Sequence, residues 1–410
     1  MCPKTENTML KTIKRYLHDF FEVYAREFKM IFHDQGLILF LTFLPLGYPI
    51  IYSLIYNPEL VREVKMVVVD NDRTSSSREF IREMDATQNT HIIGYAADMT
   101  EARRAMDSHE CFGIMEVPDG FGRAIGSGEQ AQAVMYCDMS LLLRYRGFLV
   151  SATDVAMNMG AQIQAADIND IAPLATTLST GDFLPIRNVA MGDITSGFDS
   201  FIMPGVLILI LQQCLILAIG MAGGAKHERP SLVGYNPVNQ SPSVMMSMLG
   251  QMACYLTLII LPLIFLVHYV PLIFHFPMAG DTLQELAFLL PLVLASICLG
   301  FCIQGIVWER ETIFVIWVAT SIAFLFLSGL TWPRYAMTGV WRVLSDIVPA
   351  SWGVEGFIRM NSNGANLDQV TTDYRNLWIL TGAYFILAYL VQRFAVKPYL
   401  RKRWIALHQS

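Results

Sequence analysis

Residues Ser200–Pro230 read SFIMPGVLILILQQCLILAIGMAGGAKHERP, and this stretch decides the class of fold. The run Ser200–Ala222 holds no charged side chain. Crossing a hydrocarbon core takes about 20 apolar helical residues. Lipid offers a backbone amide no partner outside its own helix, so such a run is a transmembrane helix. Lys226-His-Glu-Arg229 then closes it with a short charged loop. Working outward, five more runs satisfy the same test: Gly36–Tyr56, Met245–Val270, Leu283–Val307, Thr312–Leu330 and Asn376–Val396. The expected fold is an α-helical polytopic membrane protein with six transmembrane helices. The fourth and fifth are divided only by Trp308, Glu309, Arg310 and Glu311, which read as a tight surface turn. The first run follows a long charged stretch without a small-residue cleavage site behind it, so it is expected to be retained.

Composition agrees with a lipid solvent. Of 410 residues, 54% are hydrophobic and 16% charged, against about 45–50% and about 25% for soluble domains. Mean hydropathy is +0.42. A formal net charge of −6, with no dense basic block outside the two ends, argues against a nucleic-acid partner. The seven cysteines form no CxxC or Cys/His spacing, which argues against a metal site. Cys214, Cys254, Cys298 and Cys302 fall in apolar runs, as small hydrophobes do. No GxxxxGK[ST] phosphate loop, HExxH helix or GxSxG elbow occurs, so no catalytic residue is expected. His227 is expected as a surface residue, and Asp70-Asn-Asp72 as a turn.

Basic residues of short loops stay in the cytoplasm. Lys4, Lys11, Lys14, Arg15, Arg26 and Lys29 precede the first run; Arg393, Lys397, Arg401, Lys402 and Arg403 flank the last, in and before a basic tail over 397–410. Both termini are therefore expected inside, which needs an even number of spans. It also puts the loops at Lys226–Arg229 and Trp308–Glu311 inside, and the segment Asn57–Asp199 outside. That segment reads as an inserted extracytoplasmic α/β domain. Lys65–Asp70 is a buried strand and Ser76–Met84 a helix opened by a Ser76/Glu79 capping box. A helix over Glu101–Asp107, strands at Cys111–Val117 and Ala133–Tyr136, and a long helix over Leu141–Ile168 follow. Pro118-Asp-Gly120 and Gly126-Ser-Gly128 read as turns, and Pro173–Gly192 as the return linker. Cys111 and Cys137 share this domain, either joined as a disulfide in an oxidising compartment or buried as free thiols.

Four features bear on function. Residues 1–35 place Leu10, Ile13, Leu17, Phe20, Phe21, Tyr24, Phe28, Ile31 and Phe32 on one stripe of an amphipathic helix, suited to the headgroup plane. It is either a lever for a partner or a topological anchor. The loop over 223–243 is either a docking site or a solvated turn. Gln212, Gln213, Gln251 and Gln304 lie in or beside apolar runs, where an amide needs a partner; they bind helix to helix or line a substrate path. The external stretch 331–374 carries Trp332, Pro333, Tyr335, Trp341, Trp352 and Phe357, and reads as short helices folded back into the membrane boundary, a plug or an inert cap.

Leu327-Ser-Gly329, Pro333, Met337, Pro349, Gly356 and Arg359 together resemble the signature of ABC-2 type exporter permeases at the fifth span and its external re-entrant helices. Lys226-His-Glu-Arg-Pro-Ser-Leu232 is similar to that family's coupling segment, whose core is Glu-Arg-Gly-Thr; Glu228, Arg229, Ser231 and Leu232 fit, while Pro230 stands where Gly is usual. Thr338 stands where Pro commonly follows Met337. Gly113-Ile-Met-Glu-Val-Pro118 and Gly120-Phe121 resemble the external domain of such permeases. The resemblance implies a multi-pass protein of a bacterial inner membrane exporting a drug, lipid or other hydrophobic compound. It implies a second permease subunit, identical or a sister chain, and a separate cytoplasmic ABC ATPase that holds ATP and Mg; this chain would bind no cofactor. It implies coupling through Lys226, His227, Glu228, Arg229, Glu309, Arg310 and Glu311, with Leu17, Phe20, Phe21, Tyr24 and Phe28 on the interfacial helix. An external gate would involve Trp332, Pro333, Met337, Pro349, Trp352 and Glu355. Membrane lipid is a further partner, and a periplasmic adaptor an open one. The competing reading is a receptor whose external domain binds a ligand, though no cytoplasmic signalling domain is present to receive the message. A proton-driven transporter would need a mid-span acid or arginine, and none is evident.

Overall fold

The computed structural model describes residues 3–56, 62–140, 142–171, 198–234, 243–276 and 278–409. The chain divides into two compact units, Pro58–Val189 and the remainder. The expected return linker Pro173–Gly192 lies outside the described residues, as do 235–242 of the expected coupling loop.

In the smaller unit, β1 (Val64–Asp70) has apolar residues on both faces, as a strand covered on both sides must. It lies between β2 (Thr90–Tyr95) and β3 (Gly113–Val117), parallel to both; β4 (Val134–Cys137) adds to β3 antiparallel, giving the order β2-β1-β3-β4. Parallel neighbours need crossovers. Helices α3 (Ser75–Asp85) and α4 (Met99–Asp107) supply them. A short α5 (Phe121–Gly126) opens at Gly120, φ +88°, and α6 (Leu142–Ile171) follows β4. Val64, Met66 and Val68 pack with Phe80, Ile81, Met84 and Phe148 on one face. Val67 and Val69 pack with Ala102 and Ile114 on the other.

Several expectations for this unit change. Helix α3 is capped by Thr74, whose hydroxyl accepts from Ser77 N, so the Ser76/Glu79 capping box is not the start signal. Strand β2 was not anticipated; it is an edge strand whose side chains alternate between buried and open, too short and mixed to stand out. The stretch after Gly120 is helical rather than a bare turn. Cys111 and Cys137 are free thiols. Cys111 belongs to the Val67/Val69 face and Cys137 packs against the Val64/Met66 face, so the sheet separates them, and of the two alternatives the structure has the free thiols.

The larger unit is helical. It comprises α1 (Pro3–His33), α2 (Gln35–Ile55), α7 (Phe198–Glu228), α8 (Val244–Phe274), α9 (Thr282–Gln304) and α10 (Thr312–Leu327). The short α11 (Gly339–Ile347) and α12 (Pro349–Asn361) lead into α13 (Thr371–Val391) and α14 (Lys397–Gln409), which are continuous through a π turn. Five of these helical stretches are long and apolar enough to cross a membrane. Helix α10, the fifth in the expected set of six, has 16 residues, about 24 Å at 1.5 Å per residue against a core of about 30 Å. It stops because Ser345 and Ser351 hydroxyls both donate to Leu327 O, at 2.7 and 3.0 Å, and Gly329 turns the chain at φ +89°. Helix α7 is the most buried and forms the centre of the unit.

Three π turns interrupt these helices, at Leu39–Phe43, Phe265–Tyr269 and Gln392–Val396. Each ends two residues before a proline: Pro45, Pro271 and Pro398. Proline has no N–H to donate and its ring crowds the carbonyl four residues earlier, so the preceding turn widens to i→i+5 bonding.

Candidate functional site

Helix α1 is expected to turn its apolar stripe to the headgroup plane, and the structure splits that stripe between two faces. Val23, Glu27 and Ile31, one turn apart, are buried in the protein, while Leu17, Phe21, Phe28 and Phe32 are exposed. Helix α8 makes room at Gly250, where a Cβ would stand 2.7 Å from Phe20 O and against Val23. The close crossing brings Glu27 to the C-terminal end of α7. Lys226 Nζ donates to both carboxylate oxygens of Glu27, at 2.6 and 2.7 Å, and Tyr255 of α8 donates its hydroxyl at 2.9 Å. All three residues are buried: Glu27 is 4% exposed, Lys226 8% and Tyr255 0%. An ion pair out of water is tolerated only with good geometry and added hydrogen bonds. This one has both, and it ties α1 to two of the central helices.

The last turn of α7 continues past the expected end at Ala222 as far as Glu228, so Lys226 and His227 are helical and buried rather than part of an open loop. His227 Nδ1 lies 2.6 Å from Val307 O; facing a carbonyl, that nitrogen carries the proton. Its ring lies tilted against Trp308 and edge-on to Tyr399, both at 5.3 Å between centroids. The expected surface histidine is thus a strut between α7, the turn before α10, and α14. Gly224 permits that approach, since a Cβ there would stand 2.8 Å from the Arg310 backbone.

The remaining coupling candidates divide. Glu228 Oε1 accepts from Arg310 N at 2.7 Å, and Arg310 Nη2 meets Asp34 Oδ1 at 2.5 Å. Asp34 also caps α2, accepting from Gly36 N and Leu37 N. One arginine therefore bridges the corner between α1 and α2 to the end of α7. Arg229, Glu309 and Glu311 are exposed, and no ion pair to them occurs among the described residues. Arg26 adds a further tie, donating to Val233 O at 2.7 Å.

The four glutamines do not form one row. Gln304 donates to Ile219 O at 2.9 Å and accepts from Gln392 at 2.7 Å. Gln251 and Gln304 line a cavity of about 70 Å³ together with Glu27 and Lys226. Gln212 and Gln213 are buried higher on α7, roughly 16 Å along the axis from Gly223, with neither amide bonded among the described residues.

Helix α10 separates this corner from a second polar cluster at its other end. Arg334, 7% exposed, donates to Ser345 Oγ at 3.1 Å and to Glu355 at 2.6 Å, pairs with Asp346, and stacks 3.8 Å over Trp352. Of the gate candidates, Trp352 and Glu355 meet here and Pro349 is buried at the start of α12. Pro333, Trp352 and Glu355 line a cavity of about 600 Å³ beside Arg334. Trp332 is exposed and Met337 half-buried, and neither lines that cavity. Arg334 and Glu27, the residues around which the two clusters assemble, were missed. Arg334 is a charge inside an apolar stretch, and that was the available signal; Glu27, beside Arg26 and near Lys29 on a charged helix, carried none.

A family model described as "ABC-2 family transporter protein" matches residues 36–390. The chain is similar to the ABC transporter G family member 23 of Dictyostelium discoideum, 19% identical over 394 residues. The match covers 92% of this chain and 50% of that relative, so the chain spans about half the length of the relative it matches.

Proposed function

Since the chain belongs to the ABC-2 transporter family, we propose that it is the membrane-spanning permease of an ATP-driven exporter, powered by a separate cytoplasmic ABC ATPase. The observation that carries this reading is the buried Glu27–Lys226–Tyr255 contact. It links a surface helix to the central helices, so a push on α1 reaches the core without passing through a flexible loop. The Glu228–Arg310–Asp34 bridge supplies a second rigid path from the α7 end to α2.

In this reading both termini and the α1 corner face the cytoplasm, following the basic-residue rule, and the Pro58–Val189 unit lies on the outer side of a bacterial inner membrane. The short α10 completes a sixth crossing where the bilayer edge meets the Arg334 cluster. ATP binding and hydrolysis on the partner move α1 and the Glu228 corner together. The Arg334 clasp at the far end of α10 then opens as α11 and α12 shift, and a hydrophobic cargo leaves outward. Two permease copies, or a copy and a sister chain, enclose the path.

The test is coupled turnover in proteoliposomes with the partner ATPase, comparing wild type with Glu228→Ala. The expected result is export per ATP hydrolysed reduced at least tenfold; unchanged export per ATP would overturn the coupling role.

A further inference from the structure

We infer that the basic cavity between α1 and the end of α7 is a binding site for the phosphate headgroup of an anionic phospholipid. This rests on the proposed placement of α1 in the membrane surface. The cavity measures about 530 Å³ and is lined by Arg26, Lys29, Arg229 and Arg310 against two carboxylates, Asp34 and Glu228. Four cations thus face two carboxylates, of which Asp34 is ion-paired with Arg310. Asp34 Oδ1 accepts from two backbone amides and from Arg310, and Glu228 Oε1 accepts from Arg310 N. Among the described residues no acidic group pairs with Lys29 or Arg229, although both face the same space. Two unmatched cations converging on one pocket, with Arg310 fixed beside them, suit an oxyanion that can accept several charge-assisted hydrogen bonds.

Position selects the source of that oxyanion. The cavity lies at the Asp34 corner, where the surface helix turns into the first span. Phe28 and Phe32 on one side of this corner and Leu39 and Phe43 on the other are exposed. An amphipathic helix sits at the boundary of headgroups and acyl chains, so a phosphate there has its own chains alongside these apolar residues. A soluble phosphate or a protein carboxylate would match the cations and leave the apolar rim uncovered. The anionic lipids of a cytoplasmic leaflet supply this charge at this depth.

The experiment uses the full chain in nanodiscs of phosphatidylcholine with and without phosphatidylglycerol, reading retained lipid by native mass spectrometry. Wild type is expected to retain phosphatidylglycerol in preference to phosphatidylcholine. Lys29→Gln with Arg229→Gln should lower that preference by about fivefold for each cation removed. Lys14→Gln with Arg15→Gln removes the same charge from exposed positions of α1 outside the cavity and should leave the preference intact. Equal loss in both variants, or no preference in wild type, would overturn the site. Inorganic phosphate at matched ionic strength is the second arm: if it displaces phosphatidylglycerol, the site takes soluble phosphate and the lipid assignment is wrong. Copurification of the ATPase is the third. If the Lys29/Arg229 variant loses the ATPase but keeps the lipid, the surface belongs to a protein partner. Failure of wild type to bring down any ATPase would count against the exporter reading while leaving the lipid result standing.

Discussion

Two residues, Glu27 and Lys226, decide how the surface helix is fixed. Removing one partner of a buried ion pair leaves the other charged and out of water, at a cost of about 3–5 kcal/mol. Lys226→Met should therefore lower the thermal midpoint markedly, and adding Glu27→Gln should restore most of it; differential scanning fluorimetry in detergent reads both. An equal loss in the single and double variants would mean the pair is not coupled. Lys226 stood out in the sequence as a coupling candidate but Glu27 did not, because periodicity assigns a glutamate on an amphipathic helix to the wet face. Only the crossing at Gly250 turns that position inward. Cys137 offers a check on the smaller unit: burial pushes its thiol up to about 11. Thiolate is the reactive form, so alkylation of Cys137 in the folded chain should be slow at pH 8 and quicken through pH 10–11. Intact mass should be the same with and without reductant. A shift on reduction would restore the disulfide that the sheet rules out.

At the scale of elements, the apolar runs were legible because lipid demands a minimum length of uncharged helix, and the strands Val64–Asp70 and Gly113–Val117 because buried parallel strands are continuously apolar. Helix ends were not legible. Helix α7 runs on to Glu228 because Lys226 and His227 find buried partners on other elements, and α10 stops at Leu327 because two serines from later helices claim its carbonyl. Both facts depend on residues far away in the chain. The π turns were legible in principle, since each precedes a proline. Helix α1 is held along α8 by the same Gly250 contact, so Gly250→Val should push it away. Hydrogen exchange over Tyr16–Met30 should then speed up at least tenfold, while β1 and β3 of the smaller unit stay protected. Unchanged exchange in α1 would show that the crossing is not needed to hold it.

For the whole molecule, the two polar clusters at opposite ends of α10 give the account its form. One joins α1, α2, α7 and the Arg310 turn; the other joins the end of α10 to α11 and α12 through Arg334. Composition and basic-residue bias were enough to propose a membrane protein with an inside and an outside, and the family match places it among ABC-2 transporters. Which residues would take the stroke was legible only in part: Glu228 and Arg310 were expected and are joined, whereas Glu309 and Glu311 are merely exposed. The most direct measurement is site-specific crosslinking in native membranes, with Glu228→Cys at one end of α10 and Tyr335→Cys at the other, each followed by identification of the captured chain. Capture of an ABC ATPase from Glu228→Cys alone, with a yield that changes when ATP is added, is the predicted result. Capture of that ATPase from Tyr335→Cys, with none from Glu228→Cys, would contradict the account.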